Sequence, residues 1–543
     1  MKRAPLFLVL ALAGCRFNPA LEYPPCQTPS DCPSPCECQS GHCLPPAGAG
    51  LGPEACVSMP SGCQSDSECM TFCACKDNTC QPRETEAFSA AECDPGRIAP
   101  GDPLGSLGLL GVDWGALPDR NLIVNSAGDD PAPSAQGLTL RAALAQAVQL
   151  SRESDLPVRI AFDPAVFSNG NAPYIHLAGP LSLGGRNIFL DGRGTQARMK
   201  PASDSIDTPL RVSCRTCLIA DLSAFFFNGY AMEIVGAEDL YLFGIEIHNC
   251  GESLSGNGGG LFIGGGSRRV TVGDGQGHPA LGEPHPCWFH DNFGAGIVIG
   301  DVDSPPEDVV LIGVKSTGNI DLQQRGLGAG ISLRARSKNV FIGPYPGLDR
   351  KIQVANEFCQ NGDAGIILSG PVDRTLVRGN LLCDQPVAIA LQNLQGEVKF
   401  IHNTVIDPQT AVASCRGIPD RGRAFFWASN DIFYSSTPAM AFWALDGQSP
   451  CAGLDLFVDY ALLYNVACEP QTESTLCAWV PRATIRTQDP VFIGSESPYP
   501  TDGAAANGAD PNLEYEGLKL DTNGSAPGRY NGNGPAFGAL EEP

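Results

Sequence analysis

Four groups of side chains in this chain have the types and spacing to do chemistry. Arg268 and Arg269, then Arg334, Arg336 and Lys338, then Arg374, each follow a glycine-aliphatic run at a comparable distance. A repeating fold would set them in a row, and guanidinium rows clamp uronates or sulfates through bidentate contacts. The plainer reading is solvated turn residues balanced by Asp303, Asp308 and Asp373. Asp301, Asp303, Glu307 and Asp308 offer hard oxygen donors, and calcium is the ion such a set would take. Pro305-Pro306 between them argues for a loop rather than stacked strands. The segment from Gly273 to Asp291 gathers His278, His285 and His290 with Asp274, Glu283 and Asp291, a composition open to metal ligation or proton transfer. It contains no short ligand spacing, and its Pro and Gly suit an ordinary packed loop. Trp288, Trp427, Trp443 and Trp479, with Phe425, Phe426 and Phe442, could stack on sugar rings or fill a core.

The elements that must position these groups repeat. Gly260-Leu-Phe-Ile, Gly296-Ile-Val-Ile, Gly330-Ile-Ser-Leu, Gly365-Ile-Ile-Leu and Ala388-Ile-Ala-Leu follow one another at steps of 36, 34, 35 and 23 residues. A second series keeps the same frame through Arg269-Val-Thr-Val, Asp308-Val-Val-Leu, Asn339-Val-Phe-Ile, Arg374-Thr-Leu-Val and Glu397-Val-Lys-Phe. Aliphatics at alternate positions, bounded by Gly or Asn, have the period of strands and not of helices. Three such strands with turns need about 20–25 residues, so the 23-residue step is one bare coil and the longer steps add a loop. Asn249, Asn292, Asn356, Asn380, Asn403 and Asn430 open comparable turns, where stacked amides hydrogen-bond along the axis and tolerate left-handed backbone.

Composition sets the boundaries. The chain has 543 residues, 43% hydrophobic, with 35 Lys+Arg against 59 Asp+Glu and 23 Cys. That is ample for a large core and poorly suited to nucleic acid, which needs a basic face. Met1-Lys2-Arg3 precedes an uncharged apolar run, Ala4 to Ala13, of signal-peptide length and too short to span a bilayer. The run ends Leu12-Ala13-Gly14-Cys15, which resembles the lipobox of bacterial lipoproteins. That resemblance implies a signal peptide over 1–14, an acylated Cys15, and a lipid-anchored protein at the outer membrane or cell surface.

Beyond Cys15, 12 cysteines fall between Cys26 and Cys93 and 10 between Cys214 and Cys477. Even counts in an exported chain read as disulfides. Cys26, Cys32, Cys36, Cys38 and Cys43 share the spacing C-x5-C-x3-C-x-C-x4-C with Cys63, Cys69, Cys73, Cys75 and Cys80. Two tandem modules, 26–43 and 63–80, therefore make up a Cys-rich region over 15–93, and a linker over 94–120 follows. A zinc cluster is the competing reading of those thiols. Cys359 and Cys383 stand one bare coil apart and would face each other on adjacent rungs. Cys250 with Cys287, Cys415 with Cys451, and Cys468 with Cys477 are further pairs, and Cys214-Arg-Thr-Cys217 has C-x-x-C spacing.

The coil pattern from about residue 121 to 543 resembles the right-handed parallel β-helix of the pectin-lyase-like superfamily. Leu122-Ile-Val-Asn, Leu138-Thr-Leu-Arg-Ala-Ala-Leu and Ile160-Ala-Phe-Asp163 resemble the CSLREA opening unit of a strand, a loop, a capping helix and the first coil strand. Leu138, Thr139 and Ala142 depart from that signature. Asp489-Pro-Val-Phe492, Gly524-Ser-Ala-Pro527 and Gly538-Ala-Leu-Glu541 resemble the closing segment of exported β-helices. The fold expected is all-β, a right-handed parallel β-helix preceded by a small disulfide-rich region.

Enzymes of that superfamily carry paired aspartates and Gly-His-Gly or Arg-Ile-Lys motifs, or stacked acidic calcium ligands with an Arg base. The coil region has none of the former, and Asp129-Asp130 reads as a solvated turn in the cap. The expected function is binding, to polysaccharide or a surface partner, by a monomer that requires no cofactor. A lyase or glycosidase acting on acidic polysaccharide is the alternative, and a passive envelope protein the third.

Overall fold

A computed structural model describes residues 116–444, apart from 134–136, 169–171, 204–206, 252–257, 274–285, 322–327, 344–354, 417–423 and 430, together with several short strands elsewhere. The chain divides into two units, 1–97 and 98–543. In the first, Glu37–Gln39 pairs antiparallel with His42–Leu44 and sets Cys38 opposite Cys43, while Cys73–Lys76 pairs with Thr79–Pro82 and sets Cys75 opposite Cys80. Both copies of the repeat thus build the same hairpin. The side chains of Cys26 to Cys80, Cys15, the signal segment and residues 94–115 lie outside the described residues, as do Cys415, Cys451, Cys468, Cys477 and Asp489 to Phe492.

The second unit is the right-handed parallel β-helix expected. Each coil contributes three strands, and each strand pairs in parallel with its counterpart one coil on. The first face runs through Ser223–Phe225, Glu246–His248, Cys287–His290, Val314–Thr317 and Glu357–Cys359; the second through Tyr230–Val235, Gly259–Gly264, Ala295–Ile299 and Ala329–Leu333; the third through Glu238–Phe243, Arg268–Val272, Glu307–Leu311 and Ser337–Ile342. Alternation of side chains across a strand sends every second residue inward. Down the first face the inward column is Met199, Ala224, Ile247, Phe289, Ser316, Phe358 and Leu382, all buried.

The glycine series is one column of the second face, since the register aligns Gly260, Gly296, Gly330, Gly365 and Ala388. A Cβ at Gly260 would collide with the Gly296 carbonyl oxygen of the next rung, so rung-to-rung approach there demands glycine. The second sequence series is a column of the third face. Its members Arg269, Asp308, Asn339 and Arg374 continue Asn187, Thr216 and Asp239, and all seven are left-handed, with φ between 51° and 58°.

The asparagines form two buried amide ladders. Asn292 Nδ2 donates to Asn319 Oδ1 (2.9 Å), Asn319 to Asn361 (2.9 Å) and Asn361 to Gln385 Oε1 (3.5 Å). The other runs Asn356 to Asn380 (3.0 Å), Asn403 (2.8 Å) and Asp431 (3.1 Å). Asn249 belongs to neither, and Asn430 lies outside the described residues. One ladder fills the turn before the first face and the other the turn after it, so both edges of that face are fixed.

At the N-terminal end, Asn121–Val124 pairs with Val158–Phe162, and a helix over Leu140–Glu153 closes the stack. Its N-cap Thr139 accepts from the Ala142 N–H at 3.2 Å, and Leu140, Ala143, Leu144 and Ala147 seal the coil end. Asp129 is not a solvated turn. It accepts two hydrogen bonds from Arg141 at 2.8 and 2.7 Å and one from the Ala178 N–H at 2.7 Å, pinning helix to coil.

Cys359 and Cys383 are bridged across adjacent rungs, as their spacing implied. Cys214 and Cys217 are bridged too, and both are wholly buried, which leaves no solvent access for redox exchange. Cys250 and Cys287 do not bond to each other. Glu246 is in register with Trp288, so Cys287 stands opposite position 245, five residues from Cys250. Burial pushes the Cys250 thiol up to about 12.

Candidate functional site

The outward residues of the first face form two columns. One reads Arg198, Ser223, Glu246, Trp288, Lys315 and Glu357; the other reads His176, Lys200, Phe225, His248, His290, Thr317 and Cys359. The corner residue that follows each strand is left-handed: Phe226, Asn249, Asp291 and Gly318 have φ of 63°, 53°, 53° and 66°. Asn, Asp and Gly accept that conformation readily, and a phenylalanine does not. The corner turns the side chains of Phe226, Asn249 and Asp291 back beside the outward column.

The result is a continuous aromatic strip. Tyr174 meets Phe225 edge-on at 5.4 Å, Phe225 stacks on His248 at 4.9 Å, His248 on His290 at 4.8 Å, and Trp288 on His290 at 4.0 Å. Phe226 packs against Phe225 at 5.4 Å. The successive spacings match the separation of adjacent strands. Phe226 is 57% exposed, Trp288 40% and Tyr174 36%, so the strip faces solvent. Arg198 and Lys200 lie over the Tyr174 ring at 4.8 and 4.4 Å.

Titratable groups crowd its centre. Glu246 Oε1 lies 3.6 Å from His290 Nε2, an ionic rather than a hydrogen-bonded separation. Ser223 Oγ donates to Glu246 Oε2 at 2.9 Å. His290 Nδ1 meets Asp291 Oδ2 at 2.8 Å, and His248 Nδ1 meets the Asn249 amide at 2.8 Å. Burial alone would lower His290, but the flanking carboxylates of Glu246 and Asp291 raise it; His248 is lowered by burial and by the neighbouring His290. His290 in turn holds Glu246 below the usual carboxylate range, against the effect of burial. One donor atom each from Glu246, His248 and His290 lies within 4.8 Å of the other two, and these are the only three His, Cys, Asp or Glu side chains so gathered among the described residues.

Of the residues singled out in the sequence, His290, Asp291 and Trp288 belong to this strip, and the other described cations and carboxylates lie elsewhere. Arg268 and Lys338 share a column of the third face, but the register reads Arg215, Glu238, Arg268, Glu307, Lys338, Asp373. Charges alternate along it, so there is no basic row. Glu307 bridges Lys338 at 2.8 Å and Arg268 at 3.9 Å. Arg269 pairs with Glu238 and Asp239; Arg374 occupies the same left-handed column. Arg334 Nε donates to Ser332 Oγ at 2.9 Å, while Arg336 exchanges backbone hydrogen bonds with Asp301.

The four carboxylates proposed for calcium do not converge. Asp301 accepts from the N–H groups of Gly265, Asp303 and Ser304, and Asp303 is exposed. Glu307 is taken by Lys338, and Asp308 is buried with Asn339 donating to its Oδ1 at 2.9 Å. This donor set does not fit calcium, which takes six to eight convergent oxygens. His278, His285, Asp274 and Glu283 lie outside the described residues.

Sequence reading missed Tyr174, Lys200, Phe225, Phe226, Glu246 and His248. The usable signal was the i, i+2 pairing in Glu246-Ile-His248 and Trp288-Phe-His290, which puts both outer residues of each strand on one side.

No protein-family model matches the chain, and no curated protein sequence does. Among solved structures, pectate lyase Pel9A is 12% identical with a TM-score of 0.41, over 78% of this chain and 96% of that one. The A-module of mannuronan C-5 epimerase AlgE6 from Azotobacter vinelandii is 9% identical with a TM-score of 0.38, over 68% and 100%. The GH136 lacto-N-biosidase from Eubacterium ramulus is 11% identical with a TM-score of 0.36, over 64% and 69%. Likeness at this level carries no residue from those enzymes to this chain.

Proposed function

We propose that the first face of the β-helix is a polysaccharide-binding surface on an exported protein, anchored to a membrane by acylated Cys15. The observation that carries the binding reading is the aromatic strip in which the exposed rings of Tyr174, Phe226 and Trp288 rest on Phe225, His248 and His290. Aromatic faces stack on the apolar faces of sugar rings while their edges leave hydroxyls solvated. Phe226 adds weight, because it is exposed and left-handed at a cost of roughly 1–2 kcal/mol, and strain of that kind is retained where a side chain is needed in place. Arg198 and Lys200 at one end and Glu246 and His290 at the centre supply polar contacts, the cations suiting an acidic chain.

A second reading, a lyase or glycosidase on acidic polysaccharide, draws on the unequal histidines. A neutral His248 beside a His290 favoured as imidazolium offers a base and an acid on one surface.

The test is a panel of immobilised neutral and acidic polysaccharides presented to the intact chain, with retention and release of unsaturated or reducing ends read in the same wells, with and without calcium. Retention that falls at least tenfold in Trp288→Ala and Phe226→Ala supports the binding surface. Retention indifferent to both variants overturns it, and product release that depends on His248 replaces it with the catalytic reading.

A further inference from the structure

The geometry points to a transition-metal site on the first face, in which Glu246, His248 and His290 ligate one divalent ion of the zinc class. Two imidazoles and a carboxylate are a borderline donor set, suited to Zn2+ or Co2+ and unsuited to calcium. Three protein ligands leave a fourth position open.

The arrangement has the parts a metal site needs beyond its ligands. Each ligand is held at its far atom: Ser223 Oγ donates to Glu246 Oε2 at 2.9 Å, Asp291 Oδ2 meets His290 Nδ1 at 2.8 Å, and the Asn249 amide meets His248 Nδ1 at 2.8 Å. A carboxylate on the distal nitrogen is the outer-shell contact that fixes a ligating histidine's tautomer and raises its basicity. At His248 it is the Asn249 Nδ2 that meets Nδ1, so an Nε2 free to ligate requires that amide to turn its oxygen to the ring, a half-turn that exchanges two atoms of nearly equal size. His290 Nε2 is buried and makes no hydrogen bond; the Glu246 carboxylate faces it at 3.6 Å, a gap in which one ion could be shared by both. The two imidazole planes lie within 12° of each other, so ligation requires rotation about χ2, a broad and soft torsion for histidine. Ser223, Glu246 and Trp288 share one column and Phe225, His248 and His290 the next, so rung stacking holds all three ligands in place whether or not sugar binds there. The inference is independent of the polysaccharide reading.

Zn2+ titrated into the metal-stripped intact chain, followed by calorimetry, and Co2+ titrated with visible absorption test it. The expected result is one equivalent of Zn2+, and Co2+ bands of a low-coordinate nitrogen-oxygen site in place of the aquo-ion spectrum. His248→Gln, His290→Gln and Glu246→Gln each weaken binding by at least tenfold. Asp291→Asn, at an exposed corner where the fold does not depend on the charge, weakens it by about tenfold through the outer shell with an unchanged melting temperature. An unchanged Co2+ aquo spectrum, or Zn2+ binding that survives all four substitutions, overturns the site, because the metal is then absent or held by cysteines or histidines elsewhere.

Discussion

The first and third faces of this β-helix are built from the same strand repeat and the same left-handed corners, yet they treat polar groups in opposite ways. On the third face, Arg215, Glu238, Arg268, Glu307 and Lys338 alternate in sign rung by rung, and Asp191 is buried between Arg159 and Arg193. Along that column Glu238, Arg268, Glu307 and Lys338 each face an opposite charge one coil away. On the first face a Lys315–Glu357 pair at 2.9 Å closes one end, but exposed rings occupy most of the strip, and His290 Nε2 is left buried without a hydrogen bond. Stacking places identical positions on top of one another at about 4.8 Å, so a column must either neutralise itself or be used. The third face does the former.

The sharpest way to break the comparison is to remove the floor of the first face. Phe289 is wholly buried beneath Trp288 and His290, and Phe289→Ala is expected to cost about 3–5 kcal/mol in urea unfolding followed by circular dichroism. A loss below 1 kcal/mol would mean that the outer strip does not rest on this core.

Asp308 is the third face's exception, and its removal sharpens the contrast in the opposite direction. Burial raises its carboxyl to about 6, and its Oδ2 has no hydrogen-bond partner. The folded state therefore holds a proton that the unfolded chain releases near 3.8. Stability from this group is complete below about pH 3.8 and is lost as pH rises through about 6. Asp308→Asn extends the Asn339 amide contact without the charge and is expected to stabilise the protein at pH 7 by about 3 kcal/mol, and to flatten its pH dependence between 4 and 6. An unaltered pH profile of the melting temperature would show that Asp308 is solvated.

Smaller effects separate the faces functionally. Trp288→Ala is expected to lower polysaccharide retention about tenfold, or ~1.4 kcal/mol, with little change in melting temperature, because the ring is largely outside the core. Arg268→Ala removes a half-exposed side chain with a 3.9 Å ion contact. It is expected to change stability by less than about 1 kcal/mol and retention not at all. Equal losses of retention in the two variants would erase the distinction between the faces.

Much of the fold was legible because its cause is local. The glycine series marks a column where a Cβ cannot fit, and the 24 residues between Cys359 and Cys383 are one bare coil. The candidate site was legible only in fragments. His290 and Asp291 stand out as members of a histidine-rich segment and Trp288 as an aromatic, whereas His248 is a lone histidine beside the turn residue Asn249. The arginines resemble a row in sequence because Glu307, which stands between Arg268 and Lys338 in register, is 39 residues from one (307 − 268) and 31 from the other (338 − 307).

By itself the sequence determined the period-2 strands, the coil repeat, the glycine column, the amide turns and the capping helix, each set by residues in contact along the chain or at one short step. The tertiary structure alone decided which side chains share a column. His248 and His290 are 42 positions apart on the first face, Gly260 and Gly296 are 36 apart on the second, and Arg269 and Asp308 are 39 apart on the third, although all three pairs are neighbours across the same rung step. Loops inserted at different corners shift the count face by face, so contact across rungs follows from hydrogen-bonded register and not from spacing.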